Sequence, residues 1–291
     1  MNAPFRLPFF GVVEVSGQDA ADFLHNQLSN HILDLQPGEA CFATYNSPRG
    51  RVLANMLVVR RAEGFLLLMV ADLLENTVKR LRMFVLRSKT VFHTDSAWQA
   101  YGRSGAEAAG IDPAALKFAA PESADGLIGI TLAGGNQIVL SPAPLPDAEQ
   151  PTAAEAWLAA EAWLAAEILQ GRPWIAQATA ESCVAQMLNQ HRLGAVHFKK
   201  GCYPGQEIIA RAQYRGQVRR GLALSRSVQA VLPGSKVEVD GEEAGIVINN
   251  AAHEGAFVQL LVIKHAAAGK ALQADGQPLE TLRLWFEAEG D

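Results

Sequence analysis

Cysteine is scarce in this chain, basic charge is in deficit, and long apolar runs are missing. Each shortage removes a class of protein. The three cysteines (Cys41, Cys183, Cys202) lie far apart with no pair at metal-ligand spacing. An odd number without a framework fits a reducing compartment and not a secreted disulfide scaffold. No stretch offers about 20 consecutive apolar residues, so no membrane-spanning helix is expected. Met1 to Phe10 has only Arg6 as a charge, which argues against a signal peptide. A cytoplasmic protein without a membrane partner is the expectation. The net charge of −5 excludes a generically basic nucleic-acid binder. Gly-x-Ser-x-Gly does not occur, and Gly134-Gly135-Asn136 reads as a turn without the lysine of a phosphate loop. His25 and His31 fit one helical face poorly and no Cys or carboxylate cluster joins them, so no metal site is expected.

What remains is ample for a folded core: 291 residues, 49% apolar and 19% charged, a length of roughly two domains at about 100–200 residues each. Ala20, Phe23, Leu24, Gln27 and Leu28 have the spacing of an amphipathic helix. Val52 to Arg60 and Phe65 to Val70 are β-rich runs joined by a hairpin signal. A helix is expected from Asp72, capped by Asp72 with Glu75, through Arg87, followed by a strand from Thr90 to His93. Prolines from Pro142 to Pro151 mark a loop, and Thr152 with Glu155 forms a capping box for the next helix. That helix holds a six-residue duplication, Glu155–Ala160 then Glu161–Ala166. Six residues turn a helix by about 600°, which sends Trp157 and Trp163 to different faces of what should be a buried helix wall. Beyond residue 217 short strands and the turn signals Asp240-Gly241 and Asp275-Gly276 predict a small barrel or sandwich.

The densest chemistry lies at Lys200-Gly201-Cys202-Tyr203-Pro204-Gly205-Gln206-Glu207. Gly201 and Gly205 permit a tight backbone path, and Pro204-Gly205 suits the centre of a type II turn. Between His191 and Arg220 stand seven cations (Arg192, Lys199, Lys200, Arg211, Arg215, Arg219, Arg220) against one acid, Glu207. That is a local anion field in an acidic protein, or else a solvated basic face. Cys202 follows a lysine and precedes a helix, both of which favour thiolate; an inert thiol is the competing reading. Glu207 is placed to pair with Arg211 along that helix. Tyr203 either stacks on a flat ligand or packs.

These residues resemble the folate-binding YgfZ family, relatives of the T-protein (aminomethyltransferase) of the glycine cleavage system. Lys200 to Glu207 matches the family's Lys-Gly-Cys-Tyr-x-Gly-Gln-Glu without a gap, and Ala210-Arg211 and Tyr214-Arg215-Gly216 continue the match. Upstream, Phe23-Leu24, Gln27-Leu28 and Asn30 resemble its Phe-Leu-x-x-Gln-Leu-Thr-Asn, and Pro48-Arg49-Gly50-Arg51 its Pro-Lys-Gly-Arg. Gln186 and Asn189 match a polar pair before the signature. Three departures stand out: Glu167 where the family has Arg, Ala185 where it has Pro, and Ala54-Asn55 where the T-protein carries paired aspartates.

The resemblance implies an α+β fold, with a T-protein-like folate-binding body over residues 1–216 and a C-terminal β-barrel over 217–291. It implies tetrahydrofolate or a one-carbon derivative as cofactor, and iron–sulfur client enzymes or cluster carriers as partners, with tRNA involved indirectly. Cys202 with Lys200 would form the reactive pair. Asn30, Gln186, Asn189, Gly201, Tyr203, Gly205, Gln206, Glu207, Arg211 and Arg215 would be the cofactor-binding set, with Lys200, Arg211 or Arg215 meeting the folate tail. The function expected is an accessory protein for iron–sulfur enzymes, including tRNA-modifying ones. Rival readings are a one-carbon transferase, opposed by Ala54 and Asn55, and a tRNA-binding module using Arg192 to Arg220. Whether it is an enzyme stays open.

Overall fold

The computed structural model describes residues 3–105, 111–145, 153–216 and 218–286. The body holds two antiparallel sheets. One is built from β1 (Phe5–Arg6), β7 (Gln99–Arg103), β9 (Ile128–Thr131) and β10 (Gln137–Ser141), in the order β1-β7-β10-β9. The other contains β2 (Phe10–Ser16), β3 (Glu39–Asn46), β4 (Val52–Arg61), β5 (Gly64–Val70), β6 (Val91–His93) and β8 (Phe118–Ala119), in the order β6-β2-β5-β4-β3-β8. Helices α1 (Ala20–Gln27), α2 (Ala71–Arg82), α3 (Ala153–Leu169) and α4 (Gln206–Tyr214) pack around them.

The apolar runs of β4, interrupted by Asn55, and of β5 have a cause: their sheet is covered on both faces. Met56, Val58, Phe65, Leu67 and Met69 enter the core beneath α1 and α2. Leu57, Val59, Leu66 and Leu68 enter a second core shared with the four-stranded sheet, as the period-two alternation of strands requires. The expected C-terminal barrel is present and closed, in the order β11 (Arg220–Ser227), β14 (Ala256–Lys264), β13 (Glu242–His253), β12 (Lys236–Val239), β15 (Leu272–Ala274) and β16 (Gln277–Leu284). Both Asp-Gly pairs make hairpin turns with two successive positive φ angles, 52° and 80° at Asp240-Gly241 and 49° and 74° at Asp275-Gly276.

Several expectations need correction. Helix α2 stops at Arg82 and not Arg87, because the chain tightens into i→i+3 turns from Met83 and Leu86 adopts a φ of 42° that no α-helix continues. Its N-cap is Val70 without a side-chain cap; Asp72 instead accepts the Gln177 N–H at 3.0 Å. The duplicated helix is only half a buried wall: Trp163 is wholly buried, whereas Trp157 is 57% exposed. Thr152, Pro146 and Pro151 lie outside the described residues.

Two asparagines join body to barrel. Asn55 on β4 donates from Nδ2 to the Pro173 carbonyl at 2.7 Å and accepts the Ile175 N–H at 2.8 Å. Asn249 on β13 donates to the Trp174 carbonyl at 2.7 Å and accepts the Trp174 N–H at 2.9 Å. Beside them the buried Glu167 carboxylate holds Arg172 Nε at 2.6 Å, Asn136 Nδ2 at 2.9 Å and Trp174 Nε1 at 3.3 Å. Replacing Asn55 by the isosteric Asp removes the donor facing the Pro173 carbonyl and buries a carboxylate. Asn55→Asp should lower the unfolding free energy by about 2–3 kcal/mol, read as a lower urea midpoint at unchanged m.

Candidate functional site

The signature loop is held from three sides. Gly205 has φ 78° and ψ 1°, and the Gln206 N–H donates to the Tyr203 carbonyl at 3.2 Å, which makes Tyr203 to Gln206 a type II turn. The turn runs directly into α4. Against it rests the Ser47–Gly50 turn that joins β3 to β4, closed by the Gly50 N–H on the Ser47 carbonyl at 2.8 Å. A Cβ on Gly205 would stand 2.5 Å from the Ser47 carbonyl oxygen and 2.7 Å from Gly50 Cα; one on Gly50 would stand 2.8 Å from Ile208 Cβ. The glycines of both matched segments therefore answer one requirement, the close approach of two turns.

Lys200 provides the second hold. Its side chain is buried and its ammonium donates to the carbonyls of His25 and, at 2.5 Å, Leu28. These lie at the end of α1, where helix carbonyls lack intrahelical partners and a cation is favoured. The Nζ also lies 4.8 Å from the centroid of the buried Tyr203 ring. Burial pulls the Lys200 pKa down to about 8, opposed by the nearby sulfurs of Cys41 and Cys202. The ammonium is thus committed to a helix end inside the protein. Tyr203, its phenol pushed up to about 12 by burial, packs against it.

The other sequence-selected residues divide by exposure. Asn30 is buried, donating from Nδ2 to the carbonyls of Phe42 at 2.8 Å and Gly194 at 2.9 Å and accepting the His31 N–H. Gln186 donates to the Ile209 carbonyl of α4 at 2.7 Å, while its Oε1 is buried without a partner among the described residues. Asn189 takes a left-handed φ of 53°, which Asn tolerates better than most residues. Gln206 Nε2 reaches back to the Lys200 carbonyl at 3.4 Å. Gly201, Glu207, Arg211 and Arg215 are exposed. The expected Glu207–Arg211 brace does not form: among the described residues neither is in an ion pair, and the same holds for Arg215. Of the basic stretch, Lys200 is buried, Arg220 faces Glu243 at 3.9 Å and Arg192 donates to the Trp285 carbonyl at 2.9 Å.

The three sulfurs differ sharply. Cys41 and Cys183 are buried, and burial pushes the Cys41 thiol up to about 12 and raises that of Cys183. Cys202 is exposed on the fixed loop.

Three histidines, two of them discounted on spacing, gather beside this loop. The His25 and His31 rings are 4.5 Å apart and His31 and His197 5.3 Å, and His31 Nδ1 lies 3.2 Å from Asp34 Oδ2. They meet because His31 lies beyond the end of α1, where helical spacing no longer applies. Burial, then Lys200 and His31, lower the His25 pKa to about 4. Among the described residues no group of three His, Cys, Asp or Glu is arranged to hold a metal ion.

No family model matches the chain. It is 29% identical over 249 residues to the tRNA-modifying protein YgfZ of Edwardsiella ictaluri, covering 81% of this chain and 74% of that protein. It is also 29% identical over 228 residues to the tRNA-modifying protein YgfZ of Klebsiella pneumoniae, covering 73% and 68%. The resemblance drawn from the signature is borne out along most of the chain. Among solved structures, the glycine cleavage system aminomethyltransferase T of Bartonella henselae has a similar fold, with a TM-score of 0.65 over 97% of this chain and 85% of that one at 14% identity. The T-protein-like α+β fold is borne out with it. No helix among the described residues is long and apolar enough to cross a membrane.

Two outcomes test this geometry. Gly205→Ala meets both a backbone clash and an unfavourable φ, and should destabilise the protein by on the order of 2 kcal/mol, measured by urea unfolding. For Lys200, the burial cost is fully present below about pH 8; between there and 10.5 the unfolded chain binds more protons, so rising pH favours the folded state. The stability of the native protein relative to Lys200→Met should therefore rise as pH is raised from 8 towards 10.5.

Proposed function

We propose that this chain, similar over most of its length to the YgfZ proteins, serves tRNA modification as their name indicates, from the cytoplasm. It does so as a tetrahydrofolate-binding accessory protein for iron–sulfur enzymes, with Cys202 as its reacting group. The observation that carries the reading is the contrast among the three thiols: two are sealed in the core, and the third is displayed on a loop immobilised by a buried lysine and two facing glycine turns. Immobilising a nucleophile removes orientational freedom before reaction, which is the usual return on a rigid site.

The residues present suit a reduced folate. Gln186 offers a buried, unmatched amide oxygen that can accept an N–H of a pterin. Arg211 and Arg215 are exposed guanidiniums outside any ion pair among the described residues, and carboxylates of a glutamate tail favour such partners. A tetrahydrofolate supplies a reduced pterin and a carrier for one-carbon units. Lys200 is assigned to holding the loop and not to the tail. The transferase alternative loses support at Asn55, whose amide is spent on the backbone of residues 173–175 and offers no carboxylate for general-base work.

Tetrahydrofolate titrated into the purified protein should bind saturably in the micromolar range, and the Arg211→Ala, Arg215→Ala double variant should bind several-fold more weakly. Absence of saturable binding overturns the cofactor assignment. In cells lacking the native gene, Cys202→Ser should fail to restore the modified-tRNA content while its urea midpoint stays near that of the native protein; full restoration overturns the role of the thiol.

A further inference from the structure

We propose that the face formed by the end of α2 and the turns after it, together with the cleft alongside, binds single-stranded RNA. From Lys79 to Lys89 the chain carries five cations and no acid, in a protein of net charge −5. The macrodipole accounts for Lys79, Arg80 and Arg82 in the last turn of α2; it does not account for Arg87 and Lys89, which lie beyond the helix. Within this basic rim three large apolar side chains face solvent: Met83 at 61% exposure, Phe84 at 47% and Leu86 at 88%. Leu86 holds its left-handed φ of 42° there without burying its side chain.

The protrusion is fixed at both ends. Arg82 Nη2 donates to the Phe92 carbonyl at 2.6 Å, the Lys89 N–H donates to Asp19 Oδ2 at 2.7 Å, and Ser88 and Thr90 share a hydrogen bond of 2.7 Å. Beside it opens a cleft of about 380 Å³ whose lining includes Tyr45, Leu53, Leu73, Met83, Arg80 and Glu181. Burial raises the pKa of the Tyr45 phenol, and the Arg80 guanidinium is close enough to oppose that rise. Asn76 donates to Gln177 across it at 3.1 Å, and Arg80 Nε is buried without a partner among the described residues. The volume falls at the small end of the ligand range of about 300–1,000 Å³, the size class of a single nucleotide. Apolar walls suit a base, the amides and Glu181 suit its polar edge, and Arg80 suits a phosphate. The exposed Phe84 ring and the outer cations suit the neighbouring nucleotides. Asp72 stands in the first turn of α2, Glu75 lies one helical turn before Lys79, and Asp19 is occupied by Lys89.

The choice of RNA over another polyanion rests on the reading that the protein serves tRNA modification; the face itself does not. Lys79→Glu with Arg87→Glu reverses two exposed cations that make no side-chain bond among the described residues. Anisotropy of a labelled oligouridine and of an unmodified tRNA transcript should show native binding that weakens with salt. The double variant should bind at least tenfold more weakly, and its log K against log salt slope should fall by about 1.4, at roughly 0.7 per phosphate contact. Phe84→Ala should weaken binding about fivefold or more with an unchanged slope. Loss confined to an Arg211→Glu, Arg215→Glu variant overturns the proposed face while leaving RNA binding in place. Binding to phosphatidylglycerol vesicles without binding to either RNA overturns it in favour of a lipid surface. The cellular readout of Cys202 is independent of each of these outcomes.

Discussion

The short segment Pro173 to Ile175 is the hinge pin on which the other parts converge. Among the described residues it pairs with no strand, yet its backbone is met by the amide of Asn55 from the body sheet and the amide of Asn249 from the barrel. Each asparagine supplies one donor and one acceptor, which no carboxylate or aliphatic side chain of that size can do. The Trp174 ring meets Phe10 at 4.6 Å and Phe42 at 5.9 Å, while its indole N–H reaches Glu167. Three layers of structure are thereby locked through one tripeptide, and the loop that displays Cys202 is built on that locked frame.

This arrangement gives a structural role to two residues at which the sequence departs from the patterns it resembles. Asn55, at a position that the resemblance aligns with one of the T-protein's paired aspartates, is neutral, which lets it grip a carbonyl and an N–H together. Glu167, where the pattern of the YgfZ family that the sequence resembles has Arg, is paired at 2.6 Å with Arg172, five positions later in sequence. A buried pair of this kind adds little net stability but is costly to break on one side. The polar groups at the centre of the molecule are thus matched with one another.

Much of this was legible in the residues, and the failures have physical reasons. The β4–β5 hairpin showed itself as two β-rich runs around a turn signal, and the barrel turns as Asp-Gly pairs, because both signals are local. The type II turn at Pro204-Gly205 was likewise written in two residues. The end of α2 was misplaced because Met83 to Arg87 continue a helical composition while the backbone has already tightened. Burial of Lys200 could not be read, since it depends on the carbonyls of a helix far away in the chain. The histidine cluster was hidden for the same reason, and so was the asparagine clasp: an amide between hydrophobic strand residues carries no mark of what it will hold.

The facing turns at Ser47–Gly50 and Tyr203–Gln206 also bear on how the molecule comes to be. The first belongs to the early body and the second arrives only near the junction with the barrel. Contacts of such long sequence separation are slow to form, because closure entropy is spent before any contact rewards it. An incompletely folded chain in which these two turns have not yet met exposes Cys202 without the frame that orients it. A probe that distinguishes an oriented thiol from a merely accessible one would serve as a clock for the completion of folding.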